Sequence, residues 1–416
     1  MKKIVALTLT MLMVAGMAFA SGAGEQGGIT LMQNKPEIDA MLQEYGATWS
    51  EETGIDVTIK SVGGSSGTTL GQQLRADYAA GEMPDIFIIA GIEDYREWEG
   101  VILDLSDEDW VGDTSVAFTV DGDVYGYPVS IEGYGMAYNA DILDAAGVDP
   151  ASLTSLDAYR DAFETIDGMK DELGIDSVVS MAASADMGWV TAHHNFNALL
   201  SNGLPYGDTS VVEELQAGNV DQERLSQYAD WVQLLFEYAD ETVLTTGNYD
   251  DQVGAFATER AAFLHQGNWV DPNMESAGAD FPMGFAPHGS LEQDTNGIFV
   301  SAPSFYVINS ESANIEAAKQ FLADMVYTEA GKNFVVNEAG MIPAFSAIDQ
   351  SPSGQLSQSV QRWNAAGNVY SWNQYQFSGE FRDQTLAPIY NRFATGQIDR
   401  EEFMRLMTRA FEDNAE

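Results

Sequence analysis

Short apolar segments alternate with helical segments near the start of the chain, and this order constrains the fold more than any other feature. Residues 29–32 have the pattern of a short buried strand, residues 55–62 alternate apolar with polar side chains, and residues 86–90 form an uninterrupted apolar run. Helical periodicity occupies residues 36–53 and 70–80 between them. Apolar strands separated by helices are typical of a parallel sheet with helices on both faces. We therefore predict an α/β fold.

The rest of the chain continues this mixed pattern without an internal repeat. Asp121-Gly122 is a typical two-residue turn and predicts a hairpin at residues 118–125. Residues 155–238 have helical periodicity throughout. Further strands are predicted at 261–264, 282–286 and 298–308, and further helices at 315–327 and 400–411. Since no linker rich in Pro or Ser divides the chain, we expect two lobes that exchange strands through several crossings.

The first twenty residues have the features of a secretory signal. Lys2 and Lys3 precede an uncharged apolar run that closes with Ala18-Phe19-Ala20, which predicts cleavage after Ala20. A membrane anchor is the alternative, but the run is short for a bilayer span and Ser-Gly-rich sequence follows it. The chain has no cysteine and so no site for a lipid on an N-terminal Cys. We expect a soluble periplasmic protein of a two-membrane bacterium.

Composition excludes several classes of function. With 64 acidic and 18 basic residues, the formal charge of −46 disfavours nucleic-acid binding through phosphate contacts. Without cysteine, the chain can hold neither a catalytic thiol nor a thiolate metal site. His193-His194 are adjacent and would point about 100° apart on a helix, so they do not form a helical zinc pair. Asp121-Gly122-Asp123 is too short for a calcium loop. We predict no metal and no cofactor.

One motif favours an enzyme instead. Residues 63–67 match the G-x-S-x-G pattern of a serine nucleophile and lie between a predicted strand and a predicted helix. The base would be His265 or His288, and neither has supporting local sequence. Abundant carboxylates also permit an acid pair for glycoside hydrolysis. A secreted glycoside or ester hydrolase therefore remains the alternative function.

Aromatic residues beside polar ones indicate carbohydrate binding. Trp189, Trp269, Tyr370 and Trp372 each lie near Asn, Gln, His or Gly, and residues 372–376 read Trp-Asn-Gln-Tyr-Gln. The C–H face of a sugar ring packs on a flat apolar partner, while its hydroxyls need donors and acceptors close by. Each of these aromatics alone could equally be an ordinary core or surface residue. As a set they favour a sugar ligand.

Several stretches in order resemble the family 1 extracellular solute-binding proteins of ABC sugar importers, the group that includes maltose-binding protein. Residues 81–86 resemble the family's G-x-x-P-D entry to a strand, and residues 124–128 with 138–143 resemble its Y-G-x-P and Y-N-x-D-L segments. Residues 256–269 resemble its F-x-x-G-x-A-A-M and G-x-W block, and residues 317–343 its closing segment. Glu259 and Phe263 depart from the pattern, which usually has Gly and Met there.

The resemblance implies a two-lobed periplasmic-binding-protein fold with a ligand cleft between the lobes. On this basis residues 27–131 plus 305–345 form the N-terminal lobe, and residues 135–300 plus 352–416 form the C-terminal lobe. The crossings are expected near residues 131–134, 301–304 and 345–351. The resemblance further implies a monomer that performs no chemistry, binds a mono- or oligosaccharide and delivers it to the membrane-embedded permease subunits. A receptor for amino acids, polyamines or metal ions is a third possibility.

The resemblance also identifies candidate ligand-binding residues. Glu132 matches the spacing of a cleft acid that accepts hydrogen bonds from sugar hydroxyls, although a hinge acid bonded to backbone is the alternative. By the G-x-W match, Trp269 is expected to stack on a sugar ring, with Trp372 as a second platform and Trp189 as a third aromatic contact. The supporting candidates are Tyr370, Asn373, Gln374, Asn268, Asn34, Ser65, Ser66 and Gly91. The last four lie after predicted strands, where open α/β sheets bind ligands.

Overall fold

The computed structural model describes residues 27–62 and 69–415, so the predicted signal at 1–20 lies outside the described residues. Twelve strands are described within these ranges. They are β1 (Ile29–Gln33), β2 (Val57–Ser61), β3 (Ile86–Ile89), β4 (Phe118–Val120), β5 (Asp123–Pro128), β6 (Glu132–Asn139), β7 (Ser177–Ser180), β8 (Ala261–Gly267), β9 (Met283–Ala286), β10 (Ile298–Ser301), β11 (Phe305–Ile308) and β12 (Val369–Tyr370).

Helices fill most of the remaining chain. They are α1 (Asp39–Thr53), α2 (Leu70–Ala80), α3 (Ile92–Trp98), α4 (Ala140–Ala146), α5 (Leu156–Asp167), α6 (Lys170–Leu173), α7 (Phe196–Ser201), α8 (Ser210–Gln216), α9 (Gln222–Glu237), α10 (Glu241–Thr246), α11 (Tyr249–Ala257), α12 (Asp271–Ala277), α13 (Ile315–Tyr327), α14 (Glu329–Asn333), α15 (Gln355–Ala365), α16 (Ala387–Ala394) and α17 (Arg400–Asp413). π-Helical turns occur at Val190–Asn195, Phe334–Glu338 and Phe381–Leu386. In the described ranges, no helix combines the length and the apolar character that a bilayer crossing needs.

The first sheet has the strand order β2-β1-β3-β11-β5-β4. β1 runs parallel to β2 and β3, whereas β11 is antiparallel to β3 and β5. Its core includes Trp49 of α1 and Phe321 of α13, whose rings meet edge to face with centroids 5.2 Å apart. The sheet therefore joins residues from the start of the chain with residues from its last third.

The second sheet has the order β12-β10-β6-β8-β7, with β9 also paired to β6. β7 runs parallel to β8 and β12 parallel to β10, while β6 is antiparallel to both β8 and β10. Its helical layer supplies large buried side chains such as Trp231 of α9 and Tyr390 of α16. The two sheets and their helices confirm the predicted α/β class.

The chain passes between the sheets at three places. Residues 129–131 connect β5 of the first sheet to β6 of the second, and residues 302–304 connect β10 back to β11. Ile131 lies beside the third passage, because its backbone N–H donates to the Ile342 carbonyl at 2.9 Å. The third passage ends before Leu356 of α15, because Leu356 already packs in the core of the second sheet. The β5–β6 and β10–β11 connections run side by side, since β5 pairs with β11 and β6 with β10.

Two local predictions have instructive outcomes. Asp121 and Gly122 have φ values of 55° and 99°, as the predicted two-residue hairpin turn requires. The uniformly helical interpretation of residues 155–238 is wrong at β7, a four-residue strand at the edge of the second sheet in which every residue is buried. A short apolar run buried on both sides has no period that separates a strand from a helix.

Candidate functional site

The carboxyl ends of parallel strands in the two sheets lie at the boundary between them. Lys35 follows β1 and Gly91 follows β3 in the first sheet, while Trp269 follows β8 and Trp372 follows β12 in the second. A pocket at this boundary is lined by Lys35, Glu37, Ile38, Ser130, Glu132, Asn268, Trp269 and residues 339–341. Both sheets and the crossing segments therefore contribute to one site.

A buried group of charges forms one wall of the pocket. The Lys35 amine forms an ion pair with Oε1 of Glu132 and lies 3.7 Å from Oε1 of Glu37. The Ser130 hydroxyl donates to the same Oε1 of Glu132 at 2.9 Å. Among the described residues no hydrogen bond reaches Oε2 of Glu132. The carboxylate thus has an acceptor oxygen available on the pocket side of an ion pair.

Electrostatics keeps the Lys35 amine charged in spite of its burial. Burial lowers the pKa of the Lys35 amine, but the attraction of Glu132 and Glu37 outweighs it and leaves the pKa above its ordinary value. Burial raises the pKa of the Glu37 carboxyl, an effect that the Lys35 charge opposes. Since carboxylate and ammonium lie within one pocket, neither charge is left uncompensated.

Five rings pack together beside the pocket, and we call them the aromatic cluster: Tyr134, Trp189, His194, Trp269 and Trp372. Tyr134 contacts the edge of Trp372 with centroids 4.7 Å apart, and Trp269 and Trp372 meet at 6.1 Å. Tyr134 and Trp372 are buried, whereas Trp189 and Trp269 are partly exposed. Trp269 belongs both to the cluster and to the pocket that contains Glu132. A ligand in this pocket would therefore meet both an indole ring and charged side chains.

Hydrogen bonds fix the orientation of Trp269. Its indole N–H donates to Oε1 of Gln266 at 3.0 Å. Gln266 in turn donates to Oε1 of Gln252 at 2.8 Å, and both glutamines are fully buried. The Trp372 indole N–H is also buried but has no hydrogen-bond partner among the described residues. The protein thus holds the Trp269 indole by a hydrogen bond, whereas the N–H of the Trp372 indole is available as a donor.

Comparison with known families identifies the class of protein. The profile of the family described as "Bacterial extracellular solute-binding protein" matches residues 40–357. This chain belongs to that family. The membership confirms the resemblance on which the site residues were chosen.

Individual relatives of this solute-binding protein support the same fold. The melibiose/raffinose/stachyose-binding protein MelE of Bacillus subtilis is 21% identical over 401 residues, covering 93% of this chain and 86% of MelE. The solved structure of RafE in complex with raffinose has a TM-score of 0.77 at 17% identity and covers 94% of this chain and 100% of RafE. A sugar transporter from Bacillus licheniformis in complex with stachyose has a TM-score of 0.73 at 18% identity, covering 93% and 100% of the two chains. The predicted two-lobed fold is thereby confirmed.

Three predicted residues in and after β12 have different surroundings in this solute-binding protein. Tyr370 packs against Phe299 with centroids 5.7 Å apart and is part of the core of the second sheet. The Asn373 amide donates to the Asp208 carbonyl at 2.7 Å and so is committed to loop structure. Gln374 is fully buried, and its side-chain oxygen and nitrogen both lack hydrogen-bond partners in the described part of the chain. Of the three, only Gln374 has buried side-chain polar atoms without a partner in the described part of the chain.

Asn268 lines the pocket but is committed to the scaffold. Its Oδ1 accepts from the Gly133 N–H at 2.8 Å, and its Nδ2 donates to the Ser357 hydroxyl at 3.0 Å. It thus joins the start of β6 to α15. The side chain is suited to holding the pocket wall in place rather than to releasing its bonds for a sugar.

The candidates of the first sheet are placed unevenly. Asn34 is exposed, while its neighbour Lys35 is buried in the pocket. A Cβ added to Gly91 would lie 3.0 Å from Cβ of Tyr375, so the glycine is in close contact with a residue that follows β12 of the second sheet. Ser65 and Ser66 lie outside the described residues. Their ligand role stays a prediction.

Several residues of the site were not predicted from the sequence. Lys35 and Glu37 resemble ordinary surface charges beside a helix start, and Tyr134 and His194 resemble core residues of a strand and a helix. Their proximity depends on contacts between distant segments. Lys35 and Glu132, for example, are 97 positions apart in the sequence. Lys35 could have been found by its position in the sequence, because it directly follows Asn34, a predicted ligand-binding residue.

Neither of the two bases considered for a hydrolase reaches the pocket wall. His265 on β8 and His288 after β9 are fully buried, and their ring centroids lie 6.0 Å apart. No ring nitrogen of either has a hydrogen-bond partner among the described residues. Within residues 27–62 and 69–415, no group of three or more His, Asp or Glu side chains is arranged to hold a metal ion.

Proposed function

We propose that this protein is the carbohydrate-binding component of an ABC-type importer. It captures an oligosaccharide outside the inner membrane, closes around it and delivers it to the permease subunits. The aromatic cluster, whose Trp269 lines the same pocket as Glu132, is the observation that carries this proposal. Ring faces, an available carboxylate oxygen and unpaired buried donors are what a polyhydroxylated ring needs in place of water.

The comparisons support the choice of ligand. MelE is named for melibiose, raffinose and stachyose, and the two structural relatives hold raffinose and stachyose. These ligands belong to those proteins, and we extend only their class, a neutral oligosaccharide, to this chain. Glu132, Trp269, Trp372 and Trp189 are proposed to contact it, with Gln374 as a further candidate.

The remaining features of the proposal concern export and architecture. The predicted signal with cleavage after Ala20 supports a periplasmic location. Lobes of residues 27–131 plus 305–345 and 135–300 plus 352–416 would rotate about the three crossings to open and close the cleft. A monomer without enzymatic activity, and without a nucleic-acid partner, fits this function. Membership of a binding-protein family supports it over a glycoside or ester hydrolase.

Intrinsic tryptophan fluorescence tests the ligand class directly. Titration with melibiose, raffinose or stachyose should change the emission, because Trp269 and Trp372 would pass from contact with protein or solvent to contact with a sugar. An amino acid, a polyamine and a divalent cation serve as comparison ligands. Chromatography of the same mixtures checks for turnover. Saturation by a comparison ligand alone, or release of sugar products, would contradict the proposal.

Trp269→Ala tests the site. Removal of a buried aromatic anchor is expected to weaken sugar binding by about 1 to 3 kcal/mol while the protein stays folded. Trp363→Ala is the matched control, because Trp363 lies on α15 and donates to the Phe285 carbonyl at 3.0 Å. Calorimetric titration of both variants provides the comparison. Equal affinities in wild type and Trp269→Ala would remove Trp269 from the site.

A further inference from the structure

His194 lies at the centre of the aromatic cluster. Its ring stacks on Tyr134 with centroids 4.6 Å apart and an interplanar angle of 27°. The three tryptophans of the cluster surround it at centroid distances of 4.9, 5.3 and 5.5 Å. The ring is therefore enclosed by aromatic faces and edges.

A local distortion of the helix presents this ring. Val190–Asn195 forms a π-helical turn, a rare departure from α-helical geometry that is frequent at functional sites. The His194 carbonyl accepts the Tyr134 hydroxyl at 2.9 Å, which ties the turn to β6. Both backbone and ring of His194 are thus fixed against the same strand that begins with Glu132.

The ring has hydrogen-bonding capacity that the protein does not use. His194 Nδ1 is buried, and within residues 27–62 and 69–415 it has no hydrogen-bond partner. The Trp372 indole N–H in the same cluster is in the same condition. Buried polar atoms are normally satisfied, since an unpaired one destabilises the fold. Two such atoms lie in one cluster that shares Trp269 with the pocket, so both can take a partner from a ligand bound there.

The protonation state restricts the kind of ligand. Burial lowers the pKa of the His194 imidazole well below its ordinary value, and the neighbouring charges of His193, His265, Lys35 and Arg382 lower it further. A neutral imidazole offers one donor and one acceptor nitrogen. A hydroxyl group can pair with either nitrogen, because it both donates and accepts.

We propose that His194 is a specificity-determining residue that forms a hydrogen bond with one ring hydroxyl of the bound sugar. This inference rests on the proposed function and deepens it. The tryptophans around His194 bind the C–H face of any hexose, so they discriminate weakly between sugars. A fixed imidazole selects by the position of one hydroxyl. Sites built to bond a hydroxyl reject analogues that lack it much more strongly than apolar pockets reject shape variants.

The test combines protein variants with altered sugars. His194→Phe keeps a flat ring and removes both nitrogens. His193→Gln is the neighbouring control, because the His193 ring nitrogens lie 2.7 Å from Asp383 Oδ1 and 2.8 Å from Arg382 Nη1 rather than facing the cluster. Calorimetry would measure the affinity of each protein for the tightest-binding sugar of the fluorescence panel and for the monodeoxy analogues of that sugar. Thermal unfolding of each variant establishes that it is folded.

His194→Phe is expected to weaken binding of the parent sugar about 10- to 100-fold, with little change in His193→Gln. One deoxy analogue should bind weakly to wild type and lose nothing further in His194→Phe. Undiminished affinity in folded His194→Phe would overturn the inference while leaving the proposed function in place. If His194→Phe does not fold, His194→Gln replaces it, and the deoxy analogues are ranked by their affinity for this variant and for wild type. The same ranking in both proteins would overturn the inference. Absence of sugar binding by wild type would instead refute the proposed function itself.

Discussion

Two buried histidines give the protein a specific weakness toward acid. His265 and His288 have no accessible surface, and the nearest titratable ring to each is the other. Burial lowers the pKa of His265 from 6.5 to about 4. Burial likewise holds the pKa of His288 well below its ordinary value. Both side chains are neutral in the folded protein at pH 6, and both become charged more readily in the unfolded chain.

The sign and size of the effect follow from linkage. When the pH falls below 6.5, the unfolded chain binds a proton at position 265 and the folded protein does not, so the free energy of unfolding decreases. The loss continues until the pH reaches the folded pKa of about 4. At about 1.4 kcal/mol per pKa unit, His265 alone removes about 3 kcal/mol of stability over this range. His288 acts in the same direction.

The effect can be isolated with His265→Gln. Urea unfolding followed by tryptophan fluorescence at pH 7, 6, 5 and 4 gives the free energy of unfolding of variant and wild type. The loss between pH 7 and pH 4 should be about 3 kcal/mol smaller in the variant. Buried carboxyls such as Asp271, whose pKa is raised by burial, act in the opposite direction in both proteins and cancel in the difference.

Salt provides the control. The chain carries 64 acidic residues, so acidification also relieves surface repulsion, and this contribution is screened by added salt. Desolvation of a buried imidazole is not screened. The difference between variant and wild type should therefore persist in about 1 M salt, where the Debye length is about 3 Å. Parallel pH dependences for the two proteins would refute the reasoning.

Three further variants test the cleft. Gly91→Val places a side chain against Tyr375, whose Cβ lies 3.0 Å from the added Cβ position, and should therefore hinder closure and weaken sugar binding. Small-angle scattering of the variant with ligand should show a more open protein than wild type, and a compact complex would contradict this role. Glu132→Gln removes the charged acceptor and should reduce sugar affinity by about 1.5 to 3 kcal/mol in calorimetry, whereas equal affinity would exclude the carboxylate from the site. Asn268→Ala leaves the buried Gly133 N–H without its partner and removes the bond to the Ser357 hydroxyl, so it should lower the free energy of unfolding by about 1 to 3 kcal/mol in urea. Unchanged stability would contradict this role.

Local sequence predicted the secondary structure correctly where the hydrophobic period or the turn residues are distinctive. The helix at residues 70–80 was predicted with the bounds of α2, and Asp121-Gly122 predicted the turn between β4 and β5. It was insufficient at β7, where the sequence Ser-Val-Val-Ser carries no alternation because both faces of the strand are covered. The error arose from tertiary burial and not from an unusual propensity.

The sequence by itself determined the α/β class and, through the order of its motifs, the family. It also indicated Glu132 and the tryptophans as candidates, through the resemblance of the surrounding motifs to the family and through the polar residues beside the tryptophans. Only the tertiary structure decided which side chains share the pocket. Lys35 and His194 look like a surface charge and a helical residue until two sheets bring them together. Whether a polar group lies in water, is paired by protein or is left with an unused hydrogen bond depends on distant packing, which no local pattern encodes.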